Sequence, residues 1–271
     1  KAAYIEGLDS YAIKVASGFF NNPKLGLPSS NGLMILLDSQ TGVLKTVLLD
    51  KGYLTDVRTA IAGAISAKYL SNTDSTKAGI IGAGIQAKLQ LQSLLLVRKI
   101  DHAYIWAREN KKANKFCEDL KHLNINLEVC NLIEDVVKKS DIVITATPSK
   151  SPLIKNDWLK KGLHITAMGS DAEQKNELEP LIIKSCDLYI PDSLSQTKIL
   201  GELHHAINKN IVPMDKNYNE LGNVILNPNL GRKNKDDITV CDLTGTGVQD
   251  TAIARHTFQI ATELKLGTRV D

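Results

Sequence analysis

KAGIIGAGIQAKLQLQSL, residues 77–94, decides the fold. Its opening is a short apolar run of the kind that forms a buried strand. Gly82, Gly84 and Ala87 then stand in G-x-G-x-x-A spacing at the start of a helical pattern. Each position has its own physical reason. Gly82 permits the tight turn, Gly84 lets the backbone approach a pyrophosphate, and Ala87 allows close helix–strand contact, while the helix start offers free N–H groups to an anion. Ile85 and Gln86, which open that helix, belong to the same expected cofactor-binding set. A bare match is weak evidence against a merely structural glycine turn, and the surroundings supply the weight.

Outward from this stretch, short β-branched or aromatic runs recur: HAYIWA (102–107), NLEVC (126–130), DIVITA (141–146), LHITAM (163–168) and DLYIP (187–191). Runs of four to six such residues closed by Gly, Pro or polar residues are how buried parallel strands read. Amphipathic segments lie between them. In NKKANKFCEDLKHL, Ala113, Phe116, Leu120 and Leu123 share one helical face with lysines opposite. The expectation is an α/β chain with a doubly wound Rossmann parallel sheet.

The second strand of such a unit holds the adenosine ribose, usually through a carboxylate at its tip. Here the tip is Ala107 followed by Arg108. A missing carboxylate beside a guanidinium favours a 2′-phosphate, so NADP is expected ahead of NAD; the alternative is that Arg108 is a solvated helix-start residue. Thr145, Thr147 and Pro148 close the fourth strand and are expected over the cofactor crevice, unless they form a plain strand-ending turn.

The flanks read differently. GLMILLDSQTGVLKTVLLD, within residues 32–50, holds two apolar runs around a turn signal and predicts a β-hairpin. ITVCDL (238–243) reads as a further strand, followed by a Gly-rich loop and a last helix from about Gln249. The expected division places residues 1–58 and 227–271 in a smaller α+β substrate and dimerisation lobe, with the Rossmann domain, 59–226, inserted into it. KAAYIEG reads as though a strand or turn were already under way, so an N-terminal piece is expected to precede Lys1.

Bulk properties exclude other classes. The 271 residues carry 33 basic and 30 acidic groups, a net charge of +3 with no clustering, which gives no footprint for nucleic acid or a membrane surface. No apolar run approaches the ~18 residues of a membrane span. The four cysteines, at 117, 130, 186 and 241, lack metal or redox spacing, so buried thiols in a reducing cytoplasm are expected. No G-x-S-x-G elbow or HExxH helix occurs. His204 and His205 are adjacent and point apart on a helix, and no metal is expected.

Five ordered stretches carry a resemblance: YAIKVASGF, LTDVRTAIAGAISAKYL, GIIGAGIQA, MGSDAEQKNEL and DLTGTGVQDTAIA. In that order they are similar to the ornithine cyclodeaminase/mu-crystallin family, which includes archaeal-type alanine dehydrogenase and imino-acid reductases. The resemblance implies a homodimer, a nicotinamide cofactor and an amino- or imino-acid substrate. It also implies an N-terminal stretch before Lys1, carrying an arginine that helps hold the substrate carboxylate. By the same resemblance Lys14 is the active-site lysine, with catalytic and substrate-binding roles. Arg58 is the arginine facing substrate carboxylate and cofactor, with Thr55 beside it on the cofactor. Asp171 is the acid/base next to the nicotinamide, after Met168 and Gly169. Thr244 and Gly245, within the loop from Asp242 to Gly247, lie near the nicotinamide.

The chemistry suits these types. A guanidinium grips a carboxylate at two points, a carboxylate can shuttle a proton to an imine nitrogen or to water, and a lysine among Ile13, Val15, Ala16 and Phe19 would have a depressed pKa. The bland alternatives are a snorkelling surface lysine for Lys14, a helix-surface ion pair for Arg58, and a helix N-cap for the Gly-rich loop. GSDAEQKNEL departs from the GGDCPGKTEL form of authentic ornithine cyclodeaminases, and DLTGTGVQDTAIA resembles the family branch in ectoine catabolism and iminosuccinate reduction. An NAD(P)H-dependent imino-acid reductase is therefore expected. The alternatives are a cyclodeaminase and a non-catalytic NADP-binding protein.

Overall fold

The chain begins with a four-stranded antiparallel sheet, β1 (Ala2–Ala3), β2 (Ser10–Gly18), β3 (Ser30–Asp38) and β4 (Leu44–Leu48), ordered as in sequence. The expected hairpin is β3–β4. Its turn is held by Asp38, whose Oδ1 accepts from Gln40 N–H, Thr41 N–H and the Thr41 hydroxyl, and Gly42 takes the left-handed conformation at φ +70°. β2 joins the other edge of β3, with Lys14 opposite Met34 and Ile13 opposite Ile35.

Strand alternation sorts this sheet into two faces. Ala12, Lys14, Met34 and Leu36 are buried, whereas Ile13 and Val15 are 36% and 55% exposed. The charged residue points in and the large aliphatics of β2 point out, the reverse of a soluble two-layer strand. Ala12, Met34 and Leu36 pack with Leu54 and Ala254.

α1 (Tyr53–Leu70) follows, and then the glycine stretch. β5 (Lys77–Ile81) leads into α2 (Ile85–Leu94), β6 (His102–Trp106), α3 (Asn110–Leu120), β7 (Asn126–Val129), α4 (Ile133–Lys139) and β8 (Ile142–Thr145). β9 (His164–Ala167), α5 (Ile182–Ser185), β10 (Leu188–Pro191) and the short helices α6 (Leu194–Thr197), α7 (Glu202–Asn208) and α8 (Leu221–Leu226) come next. β11 (Thr239–Asp242) and α9 (Gly247–Glu263) end the chain. β5 to β11 form one sheet, ordered β10-β11-β9-β8-β5-β6-β7, and every pairing is parallel. This is the doubly wound Rossmann arrangement. Its order reverses at β5, flanked by β6 and β8, so a crevice opens beyond their carboxyl ends.

Both faces of the sheet are filled as the runs require: Ile80, Ile105, Ile142 and Ile144 pack with Leu91, Leu94 and Phe116, while Val143, Ile165 and Val240 pack with Leu178 and Leu203. Arg98, itself buried, donates to the carbonyls of Ala67 and Lys68, satisfying the last turn of α1.

The computed structural model describes residues 1–19 and 21–270 and divides into two units, Lys1–Thr59 with Gly245–Asp271, and Ala60–Thr244. The boundary expected at 227 is therefore corrected to 244. ITVCDL is not a strand of the smaller lobe but β11, hydrogen-bonded between β9 and β10. Its uniform burial is that of a parallel strand covered on both sides. Among the described residues no helix is long and apolar enough to cross a membrane.

Candidate functional site

In the larger unit, a groove of about 590 Å³ lies over the carboxyl ends of β5, β6 and β8. Its floor is Gly82, Ala83 and Gly84. Gly82 has φ +121°, and a Cβ there would stand 2.6 Å from the Ala146 carbonyl oxygen, so only glycine makes this turn. Gly84 caps α2 and is different: a Cβ there would meet nothing within 4 Å. Among the described residues no protein group keeps Gly84 bare. A phosphate seated on the open helix terminus would, and the cradle fits a dinucleotide pyrophosphate. Ala87 is fully buried under the helix, as close packing demands. Ile85 and Gln86 open α2, so their backbone positions face this end.

The adenosine end of the groove is lined by Trp106, Ala107, Arg108, Glu109, Lys112 and Lys115, with Lys88 from α2. Ala107 leaves no carboxylate at the strand tip. Glu109, which the sequence reading passed over, is engaged by Lys112 at 2.7 Å, and Lys88 and Lys115 share Asp119 at 2.5 and 3.0 Å. Arg108 is exposed, with no ion pair among the described residues. The opposite wall carries Thr147 and Pro148 with Ser149 and Leu153.

Other expected contacts lie off this lining. Thr145 is fully buried and its hydroxyl donates to Glu177. Met168 packs in the core with Leu70, Ile190 and Leu221, and the Gly169 N–H is taken by Glu177. Thr244 is buried, its hydroxyl bonded to Asp192 and Gln196. β8, β9 and β11 are buried at every position, so the residues at and just beyond their ends are drawn into the interior rather than onto the groove. Asp171 sits in the loop after β9, at the same carboxyl edge as the glycine turn. It is 55% exposed and paired with Lys175 at 2.5 Å.

In the smaller unit, Lys14 and Arg58 converge on a residue the sequence reading missed. Asp250, on α9, is fully buried. Its Oδ1 accepts from Lys14 Nζ at 2.9 Å and lies 2.9 Å from Arg58 Nε, off the line of a hydrogen bond. Arg58 Nη1 donates to Gln249 at 3.0 Å. Gly245 has φ +77°, and a Cβ on it would stand 2.7 Å from Arg58 Nη1, so the guanidinium lies directly against that backbone. The Lys14 side chain is only 4% exposed, which overturns the snorkelling alternative. Burial pushes its pKa down, Arg58 adds to that, and Asp250 opposes both. Two cations face one carboxylate, leaving an excess of positive charge inside the fold. Thr55, in the first turns of α1, accepts from the Thr59 hydroxyl through its carbonyl.

A second buried set contains two residues the sequence reading passed over, Glu177 and Glu202, with Asp242, which was expected in the Gly-rich loop and instead ends β11. Glu177, Glu202 and Asp242 are each at most 1% exposed. Asp242 accepts from the Tyr189 hydroxyl and from Glu202 N–H through Oδ2, and burial pushes its pKa up to about 7. Burial likewise raises Glu177, and it raises Glu202 further with help from Asp242 and Glu177.

The parallel sheet, its switch point and the glycine cradle define a dinucleotide-binding α/β protein. Residues 2–264 match the model of the ornithine cyclodeaminase/mu-crystallin family, and the chain belongs to it. It is 53% identical over 269 residues to a protein of Sinorhizobium fredii described as an uncharacterized cyclodeaminase, covering 99% of this chain and 81% of that one. Among solved structures it is similar to an archaeal alanine dehydrogenase dimer with bound NAD, at TM-score 0.91 and 32% identity, over 100% of this chain and 82% of that one. A Thermococcus litoralis Δ1-pyrroline-2-carboxylate reductase in complex with NADH and L-proline gives TM-score 0.90 and 28% identity, over 100% and 88%.

Proposed function

We propose that the chain is an NAD(P)H-dependent reductase of small α-imino acids, working reversibly as an amino-acid dehydrogenase. The observation that carries this reading is the buried cationic pair: Lys14 and Arg58 have one shared counter-ion, Asp250, and so retain charge for a substrate carboxylate. Arg58 faces Asp250 through Nε and commits Nη1 to Gln249, so Nη2 would be kept for the ligand, while Lys14 would supply its remaining ammonium protons. Gly82, Gly84 and the start of α2 would hold the pyrophosphate; the bound cofactor supplies or accepts the hydride. Asp171 is open to water and would hold or release the proton of the substrate nitrogen. At the adenosine end, Ala107 without a carboxylate and the unpaired Arg108 favour a 2′-phosphate, so NADP is the proposed cofactor.

The outer face of the antiparallel sheet, with Ile13, Val15 and Val47 exposed, would be covered by a second copy in a homodimer. The likeness to the Sinorhizobium protein keeps cyclodeamination as the second reading. One experiment separates them: NADPH and NADH oxidation with 2-oxo acids plus ammonia or methylamine, beside ammonia release from diamino acids. A reductase consumes reduced cofactor in proportion to product. A cyclodeaminase releases ammonia with no net consumption, and a chain that binds cofactor but does neither would overturn both.

A further inference from the structure

Glu177 lies nowhere on the groove surface, yet three donors end on its carboxylate, one of them from Thr147 in the groove wall. Thr147 N–H donates to Oε1 at 2.7 Å, and the Thr145 hydroxyl and Gly169 N–H donate to Oε2 at 2.6 and 2.8 Å. The backbone carbonyl of the same residue accepts from Leu153 and Ile154 N–H at 2.7 and 3.0 Å. Thr147 and Leu153 line the groove. One fully buried residue thus joins the end of β8, the segment after it and the end of β9. The closeness of the joint explains a glycine. A Cβ on Gly169 would stand 2.5 Å from the Glu177 carboxyl and 2.3 Å from the Thr147 carbonyl oxygen.

Glu177 is itself held. Its N–H donates to Glu202 Oε1 at 2.9 Å, while Glu202 Oε2 accepts from Asn176 Nδ2 and Leu178 N–H at 2.6 and 3.1 Å. Glu202 N–H in turn donates to Asp242 at 2.8 Å. A two-oxygen acceptor is what three converging donors need, since a side chain with one acceptor oxygen leaves part of the set unmet.

We propose that Glu177 is the positioning residue of the nicotinamide half of the cofactor site, setting the β8 and β9 loops against each other while leaving the adenosine half, built on the glycine turn and β6, untouched. This rests on the reading of the groove as a nicotinamide-cofactor site. In E177Q the amide keeps the volume, but its NH2 faces one of the backbone N–H groups, and that loop must move.

The test titrates Trp106 fluorescence with NADPH or NADH, whichever wild type binds tighter, and with the matching adenosine fragment, 2′,5′-ADP or ADP. E177Q should weaken the dinucleotide roughly tenfold or more and leave the fragment within about twofold. A purely structural role moves both ligands together, and that result overturns the proposal, as does an unchanged dinucleotide affinity. Should E177Q fail to fold, Thr145→Val removes a single donor and is read by the same split, with a smaller loss for the dinucleotide alone. A wild-type chain that binds neither ligand overturns the cofactor site itself. Wild-type binding with no split in the variants overturns only the role of Glu177.

Discussion

Asp250→Asn tests the buried charge cluster most directly. Each contact of the carboxylate at 2.9 Å is worth about 6 kcal/mol of attraction at an effective dielectric near 20, before desolvation. Removing one partner of a buried ion pair costs about 3–5 kcal/mol, because the charge left behind is unpaired in a dry site. Asn keeps an oxygen for Lys14, so the lower end, about 3 kcal/mol, is expected. The cycle with Lys14→Met is the decisive part. With the ammonium gone, Asp250→Asn should cost about 2 kcal/mol less than it does alone. The assay is urea unfolding followed by circular dichroism, comparing midpoints at unchanged slope. Additive effects, with a coupling below about 0.5 kcal/mol, would refute the idea that Asp250 compensates Lys14. The pH dependence carries the same information. Lys14 in the fold sits below its ordinary 10.5 and only Asp250 holds it up against burial and Arg58. The variant should therefore gain stability with rising pH over a wider interval, from its lowered folded pKa to 10.5, where the unfolded lysine gives up its proton.

Arg108→Ala should weaken NADPH roughly tenfold and NADH hardly at all in fluorescence titration, the loss of one charge-assisted contact to a 2′-phosphate; equal losses would reject the NADP assignment. Asp171→Asn should lower kcat roughly 10²–10⁴-fold with little change in melting temperature or cofactor affinity, and near-normal turnover would return it to a surface partner of Lys175. Asp242 titrates near 7 in the fold against 3.8 unfolded, so its contribution to stability is fully present below 3.8 and is lost as pH rises through 7. Asp242→Asn should flatten that part of the stability–pH curve, and an unaltered slope between pH 4 and 7 would show that another group sets it.

What the sequence made legible was local. The glycine turn could be read because each requirement (a positive φ, an open helix end, a small residue against the strand) falls within a few neighbouring residues. Lys14 stood out as a cation in an apolar run, but its direction did not, since Ile13 and Val15 face outward only because the sheet's outer face is itself apolar. Asp250 lay beyond reach for a different reason. Its partner Lys14 is 236 residues away, and in VQDTAIA it looks like any acid in a first helical turn. Glu177 in QKNEL reads as a solvated acid among polar neighbours until three donors from the β8 and β9 ends are seen to converge on it. ITVCDL illustrates the same limit for the fold: a strand's composition shows that it is buried, and its neighbours decide in which sheet.

The position of β11 also dictates an order of events. β10 is an edge strand whose only sheet partner among the described residues is β11, and β11 is made almost fifty residues later. While the ribosome has delivered β10 but not β11, the nascent sheet ends at β9, with a row of open backbone groups waiting and β10 unable to dock beside it. A chain cut anywhere between α8 and β11 therefore loses two strands of pairing rather than one, and presents the bare edge of β9 as a template for another chain. The segment from β11 onward, which supplies no residue of the glycine cradle, thus protects the growing polypeptide from self-association. Premature termination there should give insoluble protein rather than a weakened enzyme.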